Sequence, residues 1–125
     1  MAGDTFAAVG DMRPYAIWGD QVVARAVQGE RLTMAVVDLA PNSEVPEHAH
    51  DNEQLGLVLQ GRLRFTVGDD VRDLEVGDTY SIPSNVPHHV RAGPEGCTVV
   101  DVFAPTRQDW EQAPRLEARP GAWPS

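Results

Sequence analysis

The chain has 125 residues, of which 42% are hydrophobic, so it can bury one core and form a single compact domain. Its formal net charge of −9 argues against binding to nucleic acid or to anionic membranes, because both need a basic surface. The ten basic residues are all Arg, which excludes lysine Schiff-base chemistry and a P-loop. We expect a cytoplasmic protein, because the sequence shows no signal peptide, no membrane-spanning apolar run and a single cysteine, Cys97.

The elements predicted along the chain are almost all strands. Residues 1–20 mix Gly, Asp, Pro and aromatic residues, which predicts a loosely ordered lead-in. From residue 21, short segments rich in Val alternate with turns that contain Gly, Asp, Asn and Pro. The predicted strands span residues 21–28, 31–39, 54–60, 62–67, 71–76, 79–82 and 97–103.

The C-terminal part predicts one short helix and a tail. Residues 106–112 are typical of a helix of about two turns, with Thr106 as its N-cap. The tail from Ala113 contains three prolines and predicts an arm or a frayed end. The regular spacing of strands and turns over residues 21–112 predicts an all-β sandwich or barrel with antiparallel strands.

The histidines form two groups, His48 with His50 and His88 with His89. On an extended segment, residues two apart point to the same face, which Gln54 would share and Glu53 would not. Only one of the two adjacent histidines can face the same interior. Three imidazoles and one oxygen donor suit a first-row transition metal, so the pattern predicts a metal site.

These spacings resemble the two motifs of the cupin superfamily in its small single-domain form. The first motif reads G-x5-H-x-H-x3/4-E-x6-G and is similar to the segment from Asn42 to Gly61. The second reads G-x5-P-x-G-x2-H-x3-N and is similar to the segment from Gly77 to Ala92. The resemblance implies a jelly-roll barrel, or double-stranded β-helix, over residues 21–112, with a short C-terminal helix or arm. It also implies one divalent metal (Zn, Ni, Mn or Fe) with these ligands: His48, His50, Gln54 and His88.

Four positions depart from the cupin motifs. Asn42 and Asn85 replace glycines, and we expect both turns to survive because Asn tolerates a positive φ better than other residues with a side chain. Ala92 replaces the final Asn, which we expect to be harmless. Gln54 replaces Glu, and a neutral amide leaves the metal its full charge, which favours a Lewis acid over oxygen activation.

A second group of candidate residues lies in and after the last predicted strand. Asp101 and Phe103 share a face, which predicts a general base beside a pocket wall if that face points inward. Arg107 follows at the mouth of the barrel and could hold a carboxylate, or could form an ion pair with Asp109. Tyr80 is expected to be a pocket wall.

The same group is similar to the ending of small cupins that linearise unsaturated uronates in pectin and alginate breakdown. That resemblance implies catalytic roles for Asp101 and Arg107. The preferred hypothesis is therefore an isomerase or ring-opening enzyme that acts on a small carboxylate-bearing molecule by metal-assisted proton transfer. The alternatives are an iron-dependent dioxygenase, a non-catalytic module that binds a small ligand, and a polyketide-cyclase-like cupin with a deep apolar pocket.

Three tryptophans and the lead-in bear on assembly. Trp18, Trp110 and Trp123 could stack on a sugar, but core or dimer packing is the preferred interpretation because they are spread over the chain. Small cupins usually pair through their barrels, so the resemblance implies a homodimer, with residues 1–20 crossing to the partner.

Overall fold

The fold is an antiparallel jelly roll, described here for residues 5–124 in a computed structural model. Two short 3-10 helices, Val9–Asp11 and Gln108–Gln112, lie outside the strands. The strands are β1 (Tyr15–Trp18), β2 (Val22–Gln28), β3 (Thr33–Leu39), β4 (Glu44–His48), β5 (Glu53–Val67), β6 (Asp70–Leu74), β7 (Thr79–Ile82) and β8 (His88–Ala104).

Two long strands, β5 and β8, run through both layers of the roll. The first half of β5 and the second half of β8 pair with each other, and β3 and β7 flank them. The other halves also pair with each other, and β4 and β6 flank them. The strands β1 and β2 extend the first layer beyond β3. The two layers therefore face each other and enclose the core.

Glycines allow β5 and β8 to bend between the layers. The pairing register shifts near Gly61, whose φ is +76°, and a Cβ there would lie 2.1 Å from the carbonyl oxygen of Gly96. Only glycine permits this close approach, which forms a bulge where each strand changes layer. The prediction that Gly61 separates two strands is therefore wrong, because the chain bends there without leaving the sheet.

The core follows from the alternation of side chains along these strands. Inward-facing apolar residues of both layers are buried, and those with the smallest exposure include Ala24, Ala35, Val58, Ile82 and Phe103. Cys97 is also buried in this core, as a packing residue. Burial raises the pKa of its thiol to about 12, so it stays protonated and unreactive.

The ends of the chain are more ordered than the sequence predicts. Within the lead-in, Tyr15–Trp18 forms β1 against β2, so the expectation of loose order is wrong for these residues, while residues 1–4 lie outside the described part. The tail is an arm: Ala16 donates to the Pro114 carbonyl, and Leu116 donates to that of Pro14, both at 2.8 Å. The short helix begins at Gln108, with Arg107 rather than Thr106 at the N-cap position.

The two predicted asparagine turns are confirmed. Asn42 has a φ of +61° and Asn85 a φ of +64°, both in the left-handed region. Asn42 precedes β4, which ends at His48, and Asn85 precedes β8, which begins at His88. The asparagines therefore adopt the left-handed conformation that glycine adopts most easily.

Candidate metal centre

Three histidines meet at one end of the barrel. His48 ends β4, His88 begins β8 in register with it, and His50 lies in the loop between β4 and β5. One potential ligand atom from each histidine lies within 4.8 Å of the other two. The ring centroids of His48 and His88 are 4.2 Å apart, and those of His50 and His88 are 4.8 Å apart.

Each of these rings is held by a main-chain carbonyl two residues away. The Nδ1 atoms of His48 and His88 lie 2.9 Å from the carbonyl oxygens of Pro46 and Val86. That of His50 lies 3.0 Å from the carbonyl oxygen of Asn52. A carbonyl oxygen only accepts, so Nδ1 carries the proton and each Nε2 keeps a free lone pair.

The histidine cluster fits a metal ion. The Nε2 atom of His88 is buried and has no hydrogen-bond partner among residues 5–124, which is costly unless a ligand satisfies it. Burial lowers the pKa values of His48, His50 and His88, that of His88 to about 4. The rings are therefore neutral near pH 7, which is the form that binds metals.

The fourth histidine, His89, points away from the cluster. Its Nε2 lies 2.6 Å from a carboxylate oxygen of Glu44 on the outside of the barrel. The pairing of β4 with β8 places adjacent residues on opposite faces, as the sequence predicts for this pair.

Gln54 faces the histidines, although not for the predicted reason that residues two apart on an extended segment share a face. The chain leaves the extended conformation after His48, so residues 49–52 break the alternation between the histidines and β5. Gln54 is nevertheless buried, and its Oε1 lies 3.1 Å from Nε2 of His50. Glu53 is exposed, as predicted.

Asp101 and Tyr80 form a buried pair beside Gln54. The Tyr80 hydroxyl donates to Oδ1 of Asp101, and both side chains line the cavity. Burial raises the pKa of Asp101 to about 6, whereas hydrogen bonds from Tyr80 and Gln54 and the charge of Arg107 act in the opposite direction. Tyr80 is therefore a hydrogen-bond donor to Asp101 as well as the predicted wall.

A glycine makes the Tyr80 contact possible. Gly56 of β5 is in register with both Tyr80 of β7 and Asp101 of β8. The Tyr80 ring lies directly over Gly56, where a Cβ would be 2.0 Å from Cζ. Any side chain at this position would displace the ring and its hydroxyl.

Arg107 is held at the cavity by an ion pair and by two aromatic rings. Its guanidinium makes a two-point ion pair with Asp109, at 3.1 and 3.0 Å. It lies 4.7 Å from the ring centroid of Phe103 and 4.8 Å from that of Trp110. The ion pair considered from the sequence therefore forms, and the guanidinium also lines the cavity. Two of its five N–H groups face Asp109, so the others can contact a ligand.

The cavity combines the Arg107 guanidinium with apolar walls. It has a volume of about 70 Å³, and Phe103, Tyr80 and several inward-facing Val and Leu residues line it. Trp18 of β1 lies against His48 at a centroid distance of 5.3 Å and is 38% exposed. Trp110 is buried, and the structure places Trp123 apart from both, partly exposed in the tail.

Sequence reasoning missed that Trp18 and Trp110 adjoin the site. Trp110 packs against Phe103 and Arg107, and Trp18 reaches the histidines through β1, a strand that was not predicted. Its aromatic and β-branched run, Tyr-Ala-Ile-Trp, was the available signal.

Comparison with known proteins identifies the family. The sequence model of the cupin domain matches residues 35–103. The chain belongs to the cupin family. This confirms the predicted fold, and the described part of the cupin has no helix long and apolar enough to cross a membrane.

The relatives of this cupin include a pectin degradation protein and an isomerase. It is 28% identical over 104 residues to the pectin degradation protein KdgF of Dickeya dadantii (strain 3937), covering 82% of this chain and 94% of that protein. It is 42% identical over 52 residues to the H2HPP isomerase of Bacillus subtilis, covering 41% of this chain and 22% of that protein. The structure of KdgF from Halomonas sp. matches with a TM-score of 0.77 at 22% identity, covering 86% of this cupin and 98% of that chain.

Proposed function

We propose that this cupin isomerises or ring-opens a small, carboxylate-bearing substrate that resembles a sugar acid. The observation that carries this proposal is that three imidazole lone pairs converge beside a cavity lined by a buried carboxylate and a buried guanidinium. We assign the metal ligands as His48, His50, Gln54 and His88, and the metal as one divalent ion of Zn, Ni, Mn or Fe.

The proposed chemistry is proton transfer. When bound, the metal ion would supply a Lewis acid that polarises a hydroxyl or carbonyl oxygen of the substrate. Asp101 accepts and returns the proton, because it is a buried carboxylate that lines the same cavity. Arg107 holds the substrate carboxylate with the N–H groups that Asp109 leaves free.

We propose an unsaturated uronate as the substrate. This proposal rests on the resemblance of the Asp101–Arg107 segment and on the similarity to a pectin degradation protein. In the reaction, the hydroxyl on the anomeric carbon gives its proton to Asp101 and becomes a carbonyl as the ring C–O bond breaks. The ring oxygen leaves as an enol(ate), which becomes a ketone when a proton is added at carbon, so atoms and charge balance.

The experiment that tests this function follows the loss of ultraviolet absorbance of the double bond conjugated to the uronate carboxylate. The metal-loaded protein is expected to speed this loss, and Arg107→Lys is expected to lower kcat/KM about 10–100-fold, because a lysine cannot form the two-point contact. Arg91→Lys, on the exposed surface, is the matched control. No acceleration with any of the four metals would contradict the proposal.

One observation favours the polyketide-cyclase-like alternative. The inner walls of the cavity are apolar, with Val22, Val37, Leu39, Leu63 and Val99 among them. The polar groups in the same cavity, Asp101 and Arg107 among them, oppose it, because this alternative expects a markedly apolar pocket. Oxygen uptake by the iron-loaded protein would instead support the dioxygenase, and ligand binding without metal would support the non-catalytic module.

We also propose that the cupin is a homodimer. Three exposed apolar side chains, Val27, Met34 and Leu55, form a row with Val102 across β2, β3, β8 and β5 on the outer face. A second copy of the chain would remove this row from water. Exchange of residues 1–20 between the two chains is part of the same proposal.

A further inference from the structure

Gln54 occupies a position where the cupin motif has Glu, and its surroundings supply a reason. The oxygen end of the side-chain amide lies 3.1 Å from Nε2 of His50. The nitrogen end is the end free to face Asp101, since Gln54 and Asp101 are diagonal neighbours on the inner faces of β5 and β8 and both line the cavity. One amide therefore connects the histidine cluster with Asp101.

The donors and acceptors around this amide fix its orientation. Ionised Asp101 only accepts hydrogen bonds, and Tyr80 supplies one donor to its Oδ1. The NH2 group of Gln54, on the neighbouring strand, is placed to supply a second donor. A glutamate at position 54 would instead bring a second acceptor-only group against a carboxylate that is 6% exposed.

The oxygen end of the amide gives an independent indication. Nδ1 of His50 uses its proton on the Asn52 carbonyl, so its Nε2 presents a lone pair to Oε1 of Gln54. Two lone pairs that face each other at this distance repel, and a cation between them removes the repulsion. The amide thus presents its oxygen to the histidines, which is the orientation that a cation bound there would require.

We propose that Asp101 is a positioning residue for the metal ligand Gln54, and that this is why position 54 carries Gln rather than Glu. Asp101 accepts from the amide nitrogen and so holds the amide oxygen toward the histidines. Tyr80 and Gly56 act indirectly. The Tyr80 ring lies over Gly56, and its hydroxyl group donates to the Asp101 carboxylate and holds it in place. This inference rests on the metal centre of the proposed function and adds a role for Asp101 that is separate from proton transfer.

The test replaces the Gln54 amide by a carboxylate and the Asp101 carboxylate by an amide, first singly and then together. Gln54→Glu and Asp101→Asn are each expected to weaken the binding of Co²⁺ about 10–100-fold, as is typical when a partner of a metal ligand is changed. In the first variant, two acceptors meet. In the second, the introduced asparagine amide donates toward Gln54 and turns its oxygen away from the cluster. In the double variant, the introduced amide donates to the introduced carboxylate, so affinity is expected to return to within about fivefold of wild type.

The measurements are competition with a chromogenic chelator and the visible spectrum of bound Co²⁺, which reports the ligand set independently of activity. Glu53→Gln is the matched control, because this exposed neighbour carries the same change in reverse and should leave affinity unchanged. If Gln54→Glu does not fold, Asp101→Asn alone decides, since it preserves shape. An unchanged affinity and spectrum for Asp101→Asn would overturn the inference.

The outcomes separate the inference from the proposed function. Wild-type protein that binds Co²⁺, with a double variant as weak as the product of the single effects, would overturn only the inference. Wild-type protein that binds no Co²⁺ would overturn the metal centre and the inference with it. The expected rescue in the double variant, together with wild-type protein that opens no uronate, would support the inference and contradict the substrate.

Discussion

Adjacent histidines in one strand have opposite environments. His88 is 2% exposed, and its Nε2 lacks a partner among the residues that the structure describes, whereas His89 faces Glu44 outside the barrel. The difference follows from strand alternation alone, so it could be predicted from the sequence. The identity of the inward residue followed from the second cupin motif.

This contrast gives a matched pair of variants. His88→Ala should abolish tight metal binding and leave the barrel folded, because the truncation removes one neutral ring and its bond to the Val86 carbonyl. His89→Ala should keep its metal. Both are checked by metal content per chain, with circular dichroism as the folding control. An unchanged metal content in His88→Ala would refute the ligand assignment.

Other contacts of the site could not be predicted from residue types. Trp18 and Trp110 adjoin the cavity because of which strands become neighbours, a property of the whole fold. The same is true of Arg107, for which the sequence left a carboxylate anchor and an ion pair with Asp109 as alternatives. The structure shows that pair, which uses two of the five N–H groups of the guanidinium.

At the scale of elements, the turns were easier to predict than the ends of the long strands. The turn at Gly68, between β5 and β6, lies between the predicted strands 62–67 and 71–76. β8 extends from His88 to Ala104, although only residues 97–103 were predicted, because Gly93, Pro94 and Gly96 are typical of turns. Whether such residues end a strand or bend it depends on its partner strand.

The asparagine turns test the backbone argument directly. Asn42→Ala and Asn85→Ala should each lower the free energy of unfolding by about 1–2 kcal/mol, because alanine is strained at a positive φ. Substitution of either residue by Gly should change it by about 1 kcal/mol or less. Urea unfolding measures both, and equal effects of Ala and Gly would contradict the role of the left-handed conformation.

The pairing of β5, β7 and β8 makes Gly56 a sensitive position. Gly56→Ala should displace the Tyr80 ring, break its bond to Asp101 and cost about 1–3 kcal/mol of stability. Gly10→Ala is the control, since an added Cβ there meets no atom of residues 5–124 within 4 Å. The readouts are urea unfolding and the near-ultraviolet circular dichroism of tyrosine. Equal stability of the two variants would show that Tyr80 can move freely.

At the scale of the whole molecule, the outer face of the first layer carries a row of exposed apolar side chains. Met34 is 50% exposed in the middle of the row from Val27 to Leu55. Met34→Arg should convert the proposed dimer to a monomer on gel filtration, because two copies of the charge would meet in a symmetric interface. Val76→Arg, at an apolar residue 63% exposed elsewhere, should not. A wild-type monomer would contradict the dimer proposal.

The central claim is that the three histidines and Gln54 bind one transition metal at which the substrate reacts. The most direct measurement is the metal content per chain, by elemental analysis of protein purified without an affinity tag. We predict about one equivalent of Zn, Ni, Mn or Fe. Protein that is purified without metal and does not bind any of the four ions when they are added would contradict the account.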